Sequence, residues 1–258
     1  MSPYVAGFVG GAKRALGAPG ELSVRVGFYA VILVVFASLW DAAVEANDGV
    51  VAGYDYAAML WYVVAAEASV IATKPRMIED IGNDIGNGAI VVEMLRPVSV
   101  VALRLAIELG EAVIRLAFAA LVGGLFAWWR VGAPPRALGG LLAVPAAMLG
   151  IAVNLGAQHA FASAAFWLED AKASWFLYQK LIFLLGGMLL PLELFPGWLA
   201  AAARALPFWT MSYVPARFLS GHVDLALLAL QGAWLVATWA LAAWTFRTGE
   251  RHLQVAGG

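Results

Sequence analysis

The chain has 258 residues, of which 63% are hydrophobic and 13% charged, with a net charge of −1 and no cysteine; its mean hydropathy is +0.82. A soluble domain carries about a quarter of its residues as charged ones, so this composition belongs to an integral membrane protein. The near-zero net charge excludes a nucleic-acid footprint, and the absence of cysteine excludes disulfides, thiolate metal sites and thiol nucleophiles together.

Residues 1–20 place Tyr4, Val5, Phe8, Val9 and Leu16 beside Lys13 and Arg14, the pattern of an interfacial helix lying flat before the first span. The next apolar run is longer than a signal-peptide core and no small-residue cleavage site closely follows it, so it reads as a retained span. Windows of about 20 apolar residues predict six transmembrane helices, near 22–40, 56–73, 99–128, 141–167, 174–190 and 225–246. The third run would extend roughly 45 Å against a hydrocarbon core of about 30 Å, so one end protrudes or the helix tilts. No repeat or linker divides the chain, and 1–258 reads as one all-α domain.

Orientation follows from the placement of Lys and Arg. With both termini inside, nine basic residues fall on the cytoplasmic side (Lys13, Arg14, Arg25, Lys74, Arg76, Arg96, Lys172, Arg247, Arg251) and four outside (Arg130, Arg136, Arg204, Arg217). The first outer loop is acidic, with Asp41, Glu45 and Asp48.

The cytoplasmic loop 74–97 is too polar to cross a bilayer. In it Ile78, Ile81 and Ile85 recur at i, i+3 and i+7, one face of a short helix, while Glu79, Asp80 and Asp84 occupy the others. Gly82, Gly86 and Gly88 weaken that helix before the apolar pattern resumes. Acids outnumber bases on its polar face, which favours a protein partner over anionic lipid.

The third run carries a stripe of charge: Arg104, Glu108, Glu111 and Arg115 fall within a sector of roughly 60°, with Arg104–Glu108 and Glu111–Arg115 each spaced for an i, i+4 pair. An ionised side chain at membrane depth costs at least ~2.5–3.5 kcal/mol, so the stripe faces a bundle interior, an interface, a cavity or the cytoplasm. It is either a polar wall of a translocation route or an ion-pair ladder on the extension of an overlong helix. Glu67, late in the second run, falls near the same end. After the fifth run, prolines at 191, 196, 207 and 215 divide the chain into pieces too short to span, the signature of a re-entrant or interfacial outer segment, 191–221. Trp40, Trp61, Trp128, Trp129, Trp198 and Trp209 lie near predicted span ends, as in an aromatic belt.

No enzyme motif is present. His159, His222 and His252 are scattered, none of the four lysines precedes Ser or Thr, and so the chain has neither a zinc motif nor a P-loop. His159 reads as a helix–helix hydrogen bonder. Any nucleotide energy would be supplied by another polypeptide.

The segment IEDIGNDIGNGAIVVEMLRPVSV resembles the cytoplasmic loop of membrane permeases of the type-2 class of ATP-binding-cassette exporters. In one bacterial branch of these an Ile-x-x-Gly step leads into a Leu-Leu-Arg-Pro-like sequence opening the third span; the positions here are Ile85, Gly88, Met94, Leu95, Arg96 and Pro97. The later GGMLLPLELFPGWLAAAARALPF is similar to that branch's Pro-x-x-x-Phe-Pro turn before a short apolar helix. The resemblance implies a permease half in a bacterial plasma membrane, paired with a second half and with two ATPase subunits that hold ATP and magnesium, no cofactor lying in this chain. It also implies that the 77–85 helix is a coupling helix, with Ile78, Glu79, Asp80, Ile81, Gly82, Asp84, Ile85 and Gly88 at the ATPase contact and the three isoleucines as anchors. The scarcity of polar groups in the runs favours an amphiphilic or hydrophobic substrate moved outward. A secondary transporter or channel is the second reading and would want broken helices in both halves; a membrane-embedded enzyme is the third.

Overall fold

The computed structural model describes residues 2–74, 76–168 and 171–256. Met1 and Pro75, which fall within the expected interfacial helix and loop, and the side chain of His252 lie outside the described ones. The described residues form helices and turns with no strand: α1 (Pro3–Leu16), α2 (Pro19–Glu45), α3 (Tyr56–Ile71), α4 (Met77–Gly86), α5 (Ala89–Met94), α6 (Val100–Val131), α7 (Ala137–Ala162), α8 (Ala171–Leu185), α9 (Gly197–Arg204), α10 (Phe208–Leu219) and α11 (Ala226–Ala256). The starts follow local chemistry. Pro3 and Pro19 open α1 and α2, where a missing N–H is harmless. Asp55 and Ser99 cap α3 and α6 by accepting from Ala58 N (2.8 Å) and Ala102 N (3.3 Å).

Helices α3 and α7 form the middle of the bundle. Every residue of α3 from Ala58 to Ser69 is buried, and a helix apolar on all sides must be enclosed on all sides. Helices α2 and α11 lie at the periphery with most of their apolar surface exposed, and with α7 they are long and apolar enough to cross a membrane. An uncovered apolar face of that extent requires lipid. Polar side chains bind the helices together: Tyr29 donates to the Val64 carbonyl (3.0 Å), Trp239 to that of Ala152 (2.8 Å), and Gln231 to those of Ala146 (3.0 Å) and Thr210 (2.7 Å).

Helix α6 has 32 residues and so runs about 48 Å. Helix α1 packs lengthwise along its first three turns. Gly7 lies against Leu103, Gly11 against Ile107, and Gly110 against the Phe8 carbonyl. A Cβ on Gly11 would sit 2.0 Å from the Ile107 carbonyl oxygen, and one on Gly110 2.0 Å from that of Phe8. Small residues four apart let the two backbones touch. The N-terminal helix is thus a sheath for the start of α6, and Tyr4, Val5, Phe8, Val9 and Leu16 form its exposed side.

Several expectations are corrected. Pro215 lies inside α10 instead of ending a segment, and α10 is buried against α3 and α7. The Met211 carbonyl, which Pro215 deprives of its helical donor, rests against Gly150 of α7. The α3 and α8 helices have 16 and 15 residues, about 22–24 Å. Only part of the tryptophan belt survives: Trp128, Trp129 and Trp198 are exposed, but Trp40, Trp61 and Trp209 are buried in the core. His159 donates from Nδ1 to the Leu155 carbonyl of its own helix (2.9 Å) and does not bridge helices.

The α1–α6 contact makes a direct prediction. Gly11→Ala should destabilise the protein by about 1–3 kcal/mol through overpacking. Gly10→Ala, which points into open space, should stabilise it by roughly 0.5–1 kcal/mol through helix propensity. Denaturant unfolding in detergent micelles followed by tryptophan fluorescence distinguishes the two.

Candidate functional site

The loop between α3 and α6 folds as expected into a helix with acids in its first turn, Glu79 and Asp80, where the helix dipole favours them. Its apolar face, however, is turned inward. Met77, Ile78, Ile81 and Ile85 are 2%, 1%, 4% and 4% exposed, and α4 packs on α7, on the 3-10 turn Ser163–Phe166 and on α8. Gly82 permits this approach, since a Cβ there would fall 2.2 Å from that of Ala171. The three isoleucines are therefore anchors within the chain, which corrects their expected place at a partner's surface. What α4 presents outward is Asp80, Asn83, Gly86 and Asn87. Glu79, half-buried, meets Arg76 at 3.7 Å. Gly88, at φ +77°, turns the chain into α5, whose flank exposes Val91, Val92 and Leu95.

Of the expected i, i+4 ladder the Glu111–Arg115 pair forms and the Arg104–Glu108 pair does not. Arg104 does not pair with Glu108. It grips Asp84 of α4 (2.6 Å) and Glu93 of α5 (2.7 Å, with a second bond of 2.8 Å), a forked carboxylate geometry that only a guanidinium offers. Glu108 meets Lys74 at 3.7 Å. Glu111, fully buried, is the centre of the remaining charges: Arg115 at 2.6 Å, Arg14 of α1 at 3.2 Å and Lys74 at 3.6 Å. Arg115 also reaches Glu21 of α2 at 3.6 Å, and Glu21 holds Arg25 at 3.0 Å. Arg25 then donates to the carbonyls of Ile71 and Thr73 (3.1 and 3.0 Å), covering the C-terminal end of α3, whose last carbonyls lack helical donors. One ionic network thus joins α1, α2, α3 and α6 at the end of the bundle that carries α4. Arg115 keeps one buried nitrogen, Nη1, without a hydrogen bond among the described residues.

Beside this network, and not lined by the stripe, lies a cavity of about 710 Å³ between α2, α3, α7 and α8. It begins at Gly20, Glu21 and Lys74 and follows α2 to Ile32, about 18 Å along the helix. Val24 and Phe28, which line it, are also exposed on α2, so it opens sideways. The lining is mostly apolar, with a small polar strip on the inner side. Tyr178 and Gln158 both donate to the side-chain oxygen of Asn154 (2.5 and 2.8 Å), and the Asn154 amide donates to Thr73 (3.3 Å). Glu67, expected near the charge network, lies here instead, 5% exposed. The residues Asn154, Gln158 and Tyr178 are the part of the site that sequence reasoning missed. A lone amide or hydroxyl in an apolar run gives no sign of facing the others, and only the i, i+4 spacing of Asn154 and Gln158 hinted at a shared face.

At the far end of the bundle Glu193 accepts from Tyr213 (2.7 Å) and Arg217 (2.7 Å), and Tyr62 donates to the Gly187 carbonyl. His222 stacks near Tyr54, with ring centroids 4.5 Å apart. Burial, reinforced by the Arg217 guanidinium, holds its imidazolium below the ordinary range.

Apolar helices enclosing a largely apolar cavity, with charges gathered at one end, are the frame of an integral membrane protein. A family model described as ABC-2 family transporter protein matches residues 27–257, nearly the whole chain, and the chain belongs to that family. It is a permease component of an ATP-binding-cassette transporter, in which a partner subunit supplies the ATPase. No curated protein and no solved structure matches it.

The buried position of Glu111 predicts its weight in the network. Glu111→Gln leaves Arg115 without its main partner and should cost on the order of 3–5 kcal/mol. Arg14→Gln removes a side chain that is 61% exposed and should cost less than ~1 kcal/mol. Thermal unfolding of the two variants side by side measures the difference.

Proposed function

We propose that this permease exports an amphiphilic or hydrophobic substrate from a bacterial cytoplasm, as one half of a dimeric permease driven by two ATPase subunits that bind ATP and magnesium. In this reading α2, α3, α6, α7, α8 and α11 are the six spans of an inner-membrane protein. Both termini and the 74–97 loop face the cytoplasm, and 191–221 is a re-entrant segment on the outer side. The nine-to-four bias of basic residues supports the orientation. The cavity supports the substrate class: it begins at the basic end and combines apolar side chains of α2 with the amides and hydroxyl of α7 and α8.

One observation carries the coupling role of α4. This helix is fastened on two sides, by its isoleucines to α7 and α8 and by Asp84 to Arg104 of α6, while its remaining face is free. A force applied at Asp80 and Asn83 is transmitted to three spans at once, because packed interiors are stiff. The ATPase contact is accordingly the polar face of α4, with Gly88 and the apolar flank of α5 beside it, and the isoleucines are the fixed side of the lever.

Two measurements test this. Asp80→Lys with Asn83→Lys should abolish co-purification of the ATPase while leaving the permease folded; Ile81→Asp should unfold the loop and the permease with it, by more than ~3 kcal/mol for a buried unpaired charge. Retained association in the double-lysine variant sinks the contact assigned to α4. For orientation, cysteines introduced at Asn47 and Ala133 should be labelled in intact cells by an impermeant maleimide, and one at Asn83 only after permeabilisation. Labelling at Asn83 from outside reverses the topology.

A further inference from the structure

The cavity contains one charge that the rest of the protein does not answer. Four charged side chains line it: Glu21, Arg25, Glu67 and Lys74. Arg25 is held by Glu21 and by two carbonyls of the α3 terminus, and Lys74 is turned to Glu108 and Glu111, which lie outside the cavity. Glu67 has neither an ion-pair partner nor a hydrogen bond among the described residues, yet it is 5% exposed. Its helix contributes no compensating group, since the other polar side chain of its last turns, Ser69, bonds back to the Ala65 carbonyl (2.8 Å). The polar groups across the cavity are neutral, and Tyr178, Gln158, Asn154 and Thr73 bond chiefly to one another. A carboxylate taken out of water without a partner is among the most expensive groups a protein can bury, and within a membrane such residues mark sites of ion or ligand contact.

Resting on the export reading above, we propose that Glu67 is the counter-ion for a cationic amphiphile, a molecule with one delocalised or amine positive charge on an apolar body. The charge sits against Glu67, and the apolar body lies along Val24, Phe28 and Ile32 of α2 and Ile182 of α8. A substrate of that kind enters sideways past Val24 and Phe28, from the lipid side where amphiphiles collect, and its charge replaces the missing partner. Anionic amphiphiles of the same shape are rejected, because binding them would place two negative charges in one apolar enclosure.

The matched pair tetraphenylphosphonium and tetraphenylborate, alike in shape and opposite in charge, tests this on the full-length chain in phosphatidylcholine nanodiscs, with empty nanodiscs subtracted. The native protein should bind the cation at least tenfold more tightly than the anion. Glu67→Gln should abolish that preference, Glu67→Asp should keep most of it, and Ile32→Trp, which fills the cavity, should weaken both probes. An unchanged cation-to-anion ratio in Glu67→Gln overturns the proposal and means that the carboxyl is kept as a neutral acid. If that variant fails to fold, the native protein decides. Dicyclohexylcarbodiimide should modify Glu67, as located by peptide mass spectrometry. Tetraphenylphosphonium should slow the modification at least fivefold and tetraphenylborate should not. Equal rates with either probe overturn the proposal. Absence of a charge preference in the native protein, with ATPase association intact, refutes only the substrate class, whereas failed association in the α4 test bears on the export reading itself.

Discussion

A helix of about 48 Å cannot be buried in a hydrocarbon core of about 30 Å, and the organisation of the basic end follows from what covers the excess. Helix α6 brings Arg104, Glu108 and Glu111 along its first three turns. Each finds a partner beyond its own helix: α4 and α5 for Arg104, Lys74 for Glu108, and α1 together with Lys74 for Glu111. The glycines of α1 and α6 bring the two backbones into contact, which places Arg14 within reach of a carboxylate that is otherwise sealed. Short loops, a sheathing helix and a dense set of ion pairs are therefore one solution to one mismatch of length.

The same arrangement determines what the α3–α6 loop can do. An amphipathic helix with three isoleucines on one face could use that face to recognise a partner or to hold itself in place. Here it holds itself in place, and the face left outward is polar, with Val91, Val92 and Leu95 exposed beside it. This division suits a component that has to transmit force. An apolar anchor exchanged between the permease and a partner in each cycle would expose the bundle core whenever the partner left, whereas a polar outer face can be released into water at little cost.

In the cavity the balance is reversed. The other buried charges among the described residues, Glu111 and Arg115, pair at 2.6 Å, and the amides of α7 are bonded to one another. Glu67 stands apart on a helix buried from Ala58 to Ser69. A permease must bind its cargo and then release it, so a site with one incomplete interaction, which the cargo completes, is better suited to that task than a fully satisfied wall.

Much of this protein was legible in its sequence. The hydropathy runs located the long helices, though several ends differ by about five residues and α11 runs to Ala256 where 246 was expected; the 3.6-residue period located α4, and the angular arithmetic placed Arg104, Glu108, Glu111 and Arg115 on one face, because these are properties of a single helix and need no neighbour to define them. The family was legible in the loop and in the Pro191–Phe195–Pro196 turn. What only the tertiary structure decided is who meets whom. Local spacing favours Arg104 with Glu108 by a few tenths of a kcal/mol, which is too little to compete with two carboxylates presented in forked geometry by Asp84 and Glu93. An apolar stripe on α4 says that something covers it, but not whether the cover is a partner or α7 and α8. Pro215 argued for a break, yet packing against Gly150 retains it inside a helix. Glu67 read as one more charge near a charged end, and its isolation emerged only from the rotation of α3 about its own axis. That rotation is set by the sum of contacts along a buried helix apolar on every side, and a periodicity with no polar face carries no record of it.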